Sequence, residues 1–310
     1  MIDFMNRKKV RNIRKYLPLF LMMLPGVAYL LINNYFPMVG LAVAFKNINY
    51  AKGFWASDWV GFKNFEFLFN TNDAFLITRN TILYNVIFLI LNTVIAIIIA
   101  ILLNEITQKF FSRFYQSIIL FPNLISMVIV SYLALAFLNT ESGLMNKSIL
   151  PLFNADAIAW YSSPKYWPYI LTLVNTWKNV GLLSVVYYAG IIDIDRQYYE
   201  SAMLEGASKL QQIRFITLPL LKPVVIMMTL LAIGKIFYAD FGLFYQVPLD
   251  SGALYNTTNV IDTYVFRAMI RLGDIGMSSA AGFYQSVVGF VLVLFSNLIL
   301  RRTDRENALF

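Results

Sequence analysis

The chain has 310 residues, of which 59% are hydrophobic and 14% charged, with a formal net charge of +8 and neither cysteine nor histidine. That balance lies outside the range of soluble globular domains and points to a membrane protein. The missing residue types exclude disulfides, thiolate metal sites and histidine chemistry, and a positive sum that would suggest nucleic acid in a soluble protein is here better read by where the charges fall.

Six apolar runs follow one another at about 16–36, 81–103, 114–138, 169–192, 224–244 and 283–300. Each is long enough to cross a hydrocarbon core of roughly 30 Å at about 1.5 Å per residue, so the expectation is an all-α protein with six transmembrane helices in one membrane domain, 16–303. The tail at 1–15 carries Arg7, Lys8, Lys9, Arg11, Arg14 and Lys15. The run behind it is too long for the core of a secretory signal and lacks a small-residue cleavage site. The first loop, 37–75, interleaves Trp55 and Trp59 with Gly, Asn and Asp, a composition that serves either a membrane interface or a ligand contact.

Asn85, Asn92, Asn123 and Asn297 lie inside apolar runs, where hydrogen bonds between helices would satisfy them. Pro122 predicts a kink in the third span. The next loop, 139–165, is polar with room for one short helix. Lys178 in the fourth run and Lys235 with Asp240 in the fifth are costly in hydrocarbon, so they predict either an internal ion pair or a water-filled cavity. The stretch 245–281 holds turn-rich Val247–Ala253 and then Ile261–Arg267 at helical spacing, an ordered cap.

Between the fourth and fifth runs lies the polar segment 193–222. Asp193 or Asp195 can cap a short helix over Tyr198–Glu205, Gly206 permits a sharp bend, Ala207 allows close approach, and a second helix from Lys209 is predicted to end at Pro219. Fifteen of the 25 Lys and Arg residues fall on the side of the tail, the 104–113 loop, this segment and the C-terminus with Arg301, Arg302 and Arg305, against eight in the three opposite loops and the start of the second span. The excess puts both termini and the 193–222 loop in the cytoplasm. Such a loop either transmits motion from a soluble partner to its flanking spans or simply connects them in water.

The sequence from Glu200 to Pro219 resembles the signature of inner-membrane permease subunits of binding-protein-dependent ABC importers: Glu200, Ala202, Gly206, Ile216, Leu218 and Pro219 stand at the family spacing, with Ser201 in place of an alanine. Glu205 and Ala207 belong to the same segment. Gly61–Phe65, Asp240–Tyr245, Val260–Val265 and Asn297 resemble the carbohydrate-uptake branch, the MalF type, and within it the LplB-like polysaccharide permeases.

The resemblance implies a type I importer transmembrane domain in a bacterial cytoplasmic membrane. It pairs with a second homologous permease, two ATPase subunits and an extracytoplasmic solute-binding lipoprotein, and passes an oligo- or polysaccharide. It implies that the 193–222 loop docks in the ATPase as a coupling helix, and that ATP and Mg²⁺ are bound by those ATPases. The chain itself has no G-x-x-x-x-G-K-[ST] segment and needs no cofactor of its own. A sugar pathway asks for aromatic faces and neutral hydrogen-bonding groups. By depth and chemistry its candidates are Asn175, Trp177, Tyr238 and Phe241, together with Lys178, Lys235 and Asp240, although the aromatics suit packing between spans equally well. Two other classes stay open: an ion-coupled carrier using Lys178, Lys235 and Asp240 as a charge relay, which should show inverted repeats and broken helices, and a membrane enzyme built on Lys235 and Asp240.

Overall fold

A computed structural model describes residues 2–66 and 72–303. The expected tail at 304–310 lies outside the described residues, as do the side chains of the basic tail up to Lys15. Helix dominates because apolar backbone in lipid must satisfy its own hydrogen bonds. The long elements are α1 (Ile2–Leu30), α2 (Asn72–Asn104), α3 (Lys109–Leu124), α4 (Met127–Leu138), α5 (Trp167–Ile192), α6 (Arg196–Leu204), α7 (Lys209–Gln212), α8 (Leu218–Ile233), α9 (Ile261–Arg267) and α10 (Ile275–Thr303).

Two units are distinguished, Met1–Glu66 with Ile275–Phe283, and Phe67–Asp274 with Tyr284–Phe310. In the first, α1 runs on through a wide turn, Leu31–Tyr35, and a tighter 3₁₀ stretch, Phe36–Phe45. Strands β1 (Lys46–Asn47) and β2 (Asp58–Trp59) then pair antiparallel, Lys46 opposite Trp59. Lys46 is buried, among the described residues without a carboxylate partner: its Nζ donates to the carbonyls of Phe54 and Trp55, both at 3.0 Å, and lies over the rings of Phe54 and Trp59. Trp55 and Trp59 stay exposed.

The second unit is built around α2 and α5, which pack along their lengths. One apolar cluster joins Tyr84, Phe88, Trp167, Leu171, Phe244 and Val260; another joins Ala96, Ala100, Tyr187, Ile191 and Leu221. Helices α3 and α5 approach closely at Gly181, where a Cβ would stand 1.9 Å from the Ile119 carbonyl oxygen, so only glycine fits.

Among the described residues four helices are long and apolar enough to cross a membrane: Tyr16–Phe45, Asp73–Asn104, Lys209–Ile233 and Ile275–Arg302. The run expected as one span at 114–138 is instead two helices, α3 and α4, bent by 93° at a short break; counted as one crossing it makes five. Helix α5 has 26 residues, about 39 Å at 1.5 Å per residue, with the polar sequence Asn175–Asn179 at its centre. The run expected at 224–244 departs further. Its helix begins earlier, at Lys209, and stops at Ile233, and residues 234–240 are unwound before helix resumes at Phe241 and runs into a wide turn at Gly242–Gln246. Broken helices are therefore present where continuous ones were expected.

Candidate functional site

The 193–222 segment folds from local signals. Asp195 caps α6 by accepting the Gln197 N–H at 3.0 Å. Gly206 ends the helix in the left-handed region, φ +82°, with open space around it, so backbone conformation rather than crowding selects glycine. Ser208 and Gln211 then form a capping box at the start of α7. The two arms are tied together by Tyr199 Oη to Thr217 Oγ1 at 2.9 Å and by buried Gln212, which donates to the Ala207 carbonyl at 3.0 Å. Lys209 pairs with Glu105 at the end of α2 at 3.0 Å. Those contacts surround a cavity of about 240 Å³.

Pro219 does not end the second arm. Helix continues through it from Lys209 to Ile233, because a wide turn at Ile213–Thr217 lets the Leu218 N–H reach back to the Ile213 carbonyl and makes room for a residue without an N–H. Glu200, Ser201, Glu205, Gly206, Leu218 and Pro219 are exposed, and Ala202, Ala207 and Ile216 half-buried. Three apolar side chains that the motif alone does not single out, Tyr198, Met203 and Leu204, also face outward, Leu204 at 91% exposure. Their signal was present: apolar residues on a helix with a polar surround and no apolar neighbour to cover them.

The second cluster sits where the broken helices meet. Lys178, expected in an ion pair or lining a cavity, instead donates from its Nζ to the carbonyls of Pro122, at 3.3 Å, Asn123, at 3.1 Å, and Ile125. It caps the end of α3, whose last carbonyls lose their partners at the bend. Asn123 returns a bond from its Nδ2 to the Lys178 carbonyl at 3.4 Å.

The unwound stretch after α8 is clamped in the same manner. Asn85 donates to the carbonyls of Ile236 and Tyr238 at 2.9 and 3.0 Å, and Gln285 donates to Phe237 at 2.6 Å. Asp262 accepts the Ala239 N–H at 2.8 Å. Burial raises the pKa of Asp262, with the nearby charge of Asp240 acting in the same direction against three hydrogen bonds that lower it.

These clamps hold open a cavity of about 370 Å³ between α2, α5, α8 and the unwound stretch. Of the seven pathway candidates, Asn175, Lys235, Tyr238 and Asp240 line it, joined by Asn85 and Asn92. Trp177 does not; two residues from Asn175 it lies on another face of α5, half exposed. Phe241 does not either, being stacked on Tyr245, ring centroids 4.9 Å apart, and packed on Phe266. Asn175 accepts from Asn92 Nδ2 at 2.9 Å, which bears out the interhelical reading of Asn92, as the bond to Lys178 does for Asn123; Asn85 bonds instead to the unwound stretch. Asn297 is buried. Among the described residues no group of acids can hold a metal ion.

Residues 92–305 match the family described as binding-protein-dependent transport system inner membrane component. The chain belongs to this family. It is therefore a translocation subunit and not an enzyme. The permease is similar to protein LplB of Bacillus subtilis, 32% identical over 93% of this chain and 90% of that protein. It is similar to the same organism's polygalacturonan/rhamnogalacturonan transport system permease protein YteP, 32% identical over 99% and 95%. Its fold matches a chain from the crystal structure of a bacterial ABC transporter that imports the acidic polysaccharide alginate, with a TM-score of 0.86 and 31% identity over 96% and 99% of the two chains. It also matches a bacterial alginate transporter in complex with an alginate pentasaccharide-bound periplasmic protein, with a TM-score of 0.84 and 31% identity over 94% and 97%.

Proposed function

We propose that the permease forms, with a second homologous permease, the translocation path of an ATP-driven importer for oligo- or polysaccharides in a bacterial cytoplasmic membrane. An extracytoplasmic binding protein delivers the saccharide, and two partner ATPases bind ATP and Mg²⁺. Family membership supports the importer, and the polysaccharide systems named among the relatives support the substrate class. Six spans with both termini in the cytoplasm fit the excess of Lys and Arg on that side. In this topology α5 and the bent α3–α4 pair each count as one crossing.

The observation that carries the coupling role is the exposed apolar edge of α6 on a loop whose two arms are tied to each other by hydrogen bonds. A rigid two-armed loop joined directly to α5 and α8 passes displacement to both. Closure of the ATPase dimer draws Tyr198–Ala207 inward and opens the cavity outward; hydrolysis reverses it. The ion-relay alternative loses its first member, because Lys178 is fully engaged by carbonyls. A direct test is Leu204→Lys in the reconstituted importer. Leu204 makes little contact with its own chain, so folding and membrane insertion should survive while uptake and saccharide-stimulated ATPase fall together by at least tenfold. Normal uptake by a well-expressed variant would sink the coupling role.

A further inference from the structure

The cavity between α2, α5 and α8 contains a cation that, among the described residues, is in no ion pair. Lys235 stands just beyond the end of α8, at the head of the unwound stretch, with its side chain exposed to the cavity. Among the described residues it takes part in no ion pair or side-chain hydrogen bond. Asp240 lines the same cavity but is not its partner: Asp240 Oδ1 accepts the Leu243 N–H at 3.1 Å and so caps the turn that follows. On the opposite wall Asn92, nine-tenths buried, spends its Nδ2 on Asn175 and leaves its Oδ1 without a donor.

We propose that this cavity binds a saccharide bearing a carboxylate, the carboxylate on Lys235 Nζ and hydroxyls donating to Asn92 Oδ1 and Asp240. The proposal rests on the saccharide reading above and adds the charge of the substrate and the residue that reads it. The reason is desolvation. A sugar filling the cavity displaces the water around Lys235. A neutral sugar would leave the ammonium stripped of water and without a direct ion-pair partner, whereas a carboxylate supplies a charge-assisted bond. The same ligand offers hydroxyl donors to the two acceptors, one of which is now a buried polar atom without a partner. Lys178, the other cation within an apolar run, is already committed to three carbonyls and cannot serve.

The test uses the full importer, both permeases, ATPases and binding protein, in proteoliposomes. Uptake is measured for alginate and galacturonan oligomers of two to five sugars and for their carboxyl-reduced, neutral counterparts. Wild type should take up an acidic member at least tenfold better than its reduced form. Lys235→Gln should raise the half-saturating concentration for the acid about tenfold and leave that for any accepted neutral sugar within twofold, and Lys235→Arg should restore most of the loss. Equal handling of acidic and neutral sugars by wild type, or equal impairment of both by Lys235→Gln, overturns the proposal while leaving the importer reading intact. Loss of the second permease on co-purification of Lys235→Gln, rescued by no sugar, would show that a carboxylate of that subunit pairs with Lys235 and also overturns it. Uptake of no saccharide of either kind overturns both readings.

Discussion

The 193–222 loop and the broken-helix region are both polar interruptions of apolar runs, yet they are stabilised in opposite ways. In the loop each cap and bend is supplied from within about ten residues: Asp195 for α6, Gly206 for its end, Ser208 and Gln211 for α7. At the breaks the partners are remote. Lys178 reaches back 53 to 56 residues to α3, and Asn85 reaches 151 and 153 residues forward to Ile236 and Tyr238. A locally determined element can be gripped and moved as a body. A break satisfied by three other elements changes shape only when those elements move, and this makes it suited to follow a displacement that begins elsewhere.

The strongest way to test that contrast is to remove one remote partner. Lys178→Met keeps the length and apolar stem of the side chain but strands the carbonyls of Pro122, Asn123 and Ile125 at the 93° bend. Leaving such a charged network unmade costs on the order of 2–3 kcal/mol. The purified complex should unfold several degrees lower, with Lys178→Arg intermediate. An unchanged melting curve for Lys178→Met would mean that the bend is held by packing alone.

The same contrast explains what was legible in the sequence. The apolar runs announce most of the long helices because a membrane dictates their length, and the loop announces itself because its signals are adjacent in the chain. Pro122 marks a kink but not its angle, which depends on Lys178 and on the close contact of Gly181 with Ile119. The unwound stretch after Ile233 continues an apolar run with only Lys235 and Asp240 to interrupt it and looks like helix; the donors that hold its carbonyls, Asn85 and Gln285, lie far away in sequence. Pro219 misled for the converse reason, since a wide turn upstream absorbs it. Among the pathway candidates, Asn175, Lys235, Tyr238 and Asp240 line the cavity, but depth alone cannot tell which face of a helix Trp177 occupies or that Phe241 has ring partners.

A smaller effect sharpens the local side of the comparison. Gly206→Ala introduces a methyl into open space, so its cost is confined to the backbone: a φ of +82° is unfavourable for an L-residue by about 1–2 kcal/mol. Relaxation of that bend should weaken the Gln212 to Ala207 bond and loosen the loop without disturbing the spans. Hydrogen exchange should therefore rise at 198–212 and stay level in α2 and α5, while Gly206→Asn, a residue that tolerates the left-handed region, should behave nearly as wild type. Exchange rising equally in the spans would show that the loop is not a separate body.

The smallest effect is a pH dependence at Asp262, on the remote side. Its pKa is raised in the folded state, chiefly by burial, so the folded chain holds its proton more tightly than the unfolded chain does. Stability from this group is then complete below the ordinary carboxylate range and is lost as pH rises through the higher folded value. The ionised form is the costly one, because its charge is buried near Asp240, though it accepts from Ala239 and Gln285. Asp262→Asn removes the titration and keeps an oxygen for the Ala239 N–H. The melting temperature of the variant minus that of wild type should therefore be more positive at pH 7.5 than at pH 4. A difference that is flat, or of opposite slope, would mean that the three hydrogen bonds outweigh burial and that the clamp on the unwound stretch is strongest when Asp262 is charged.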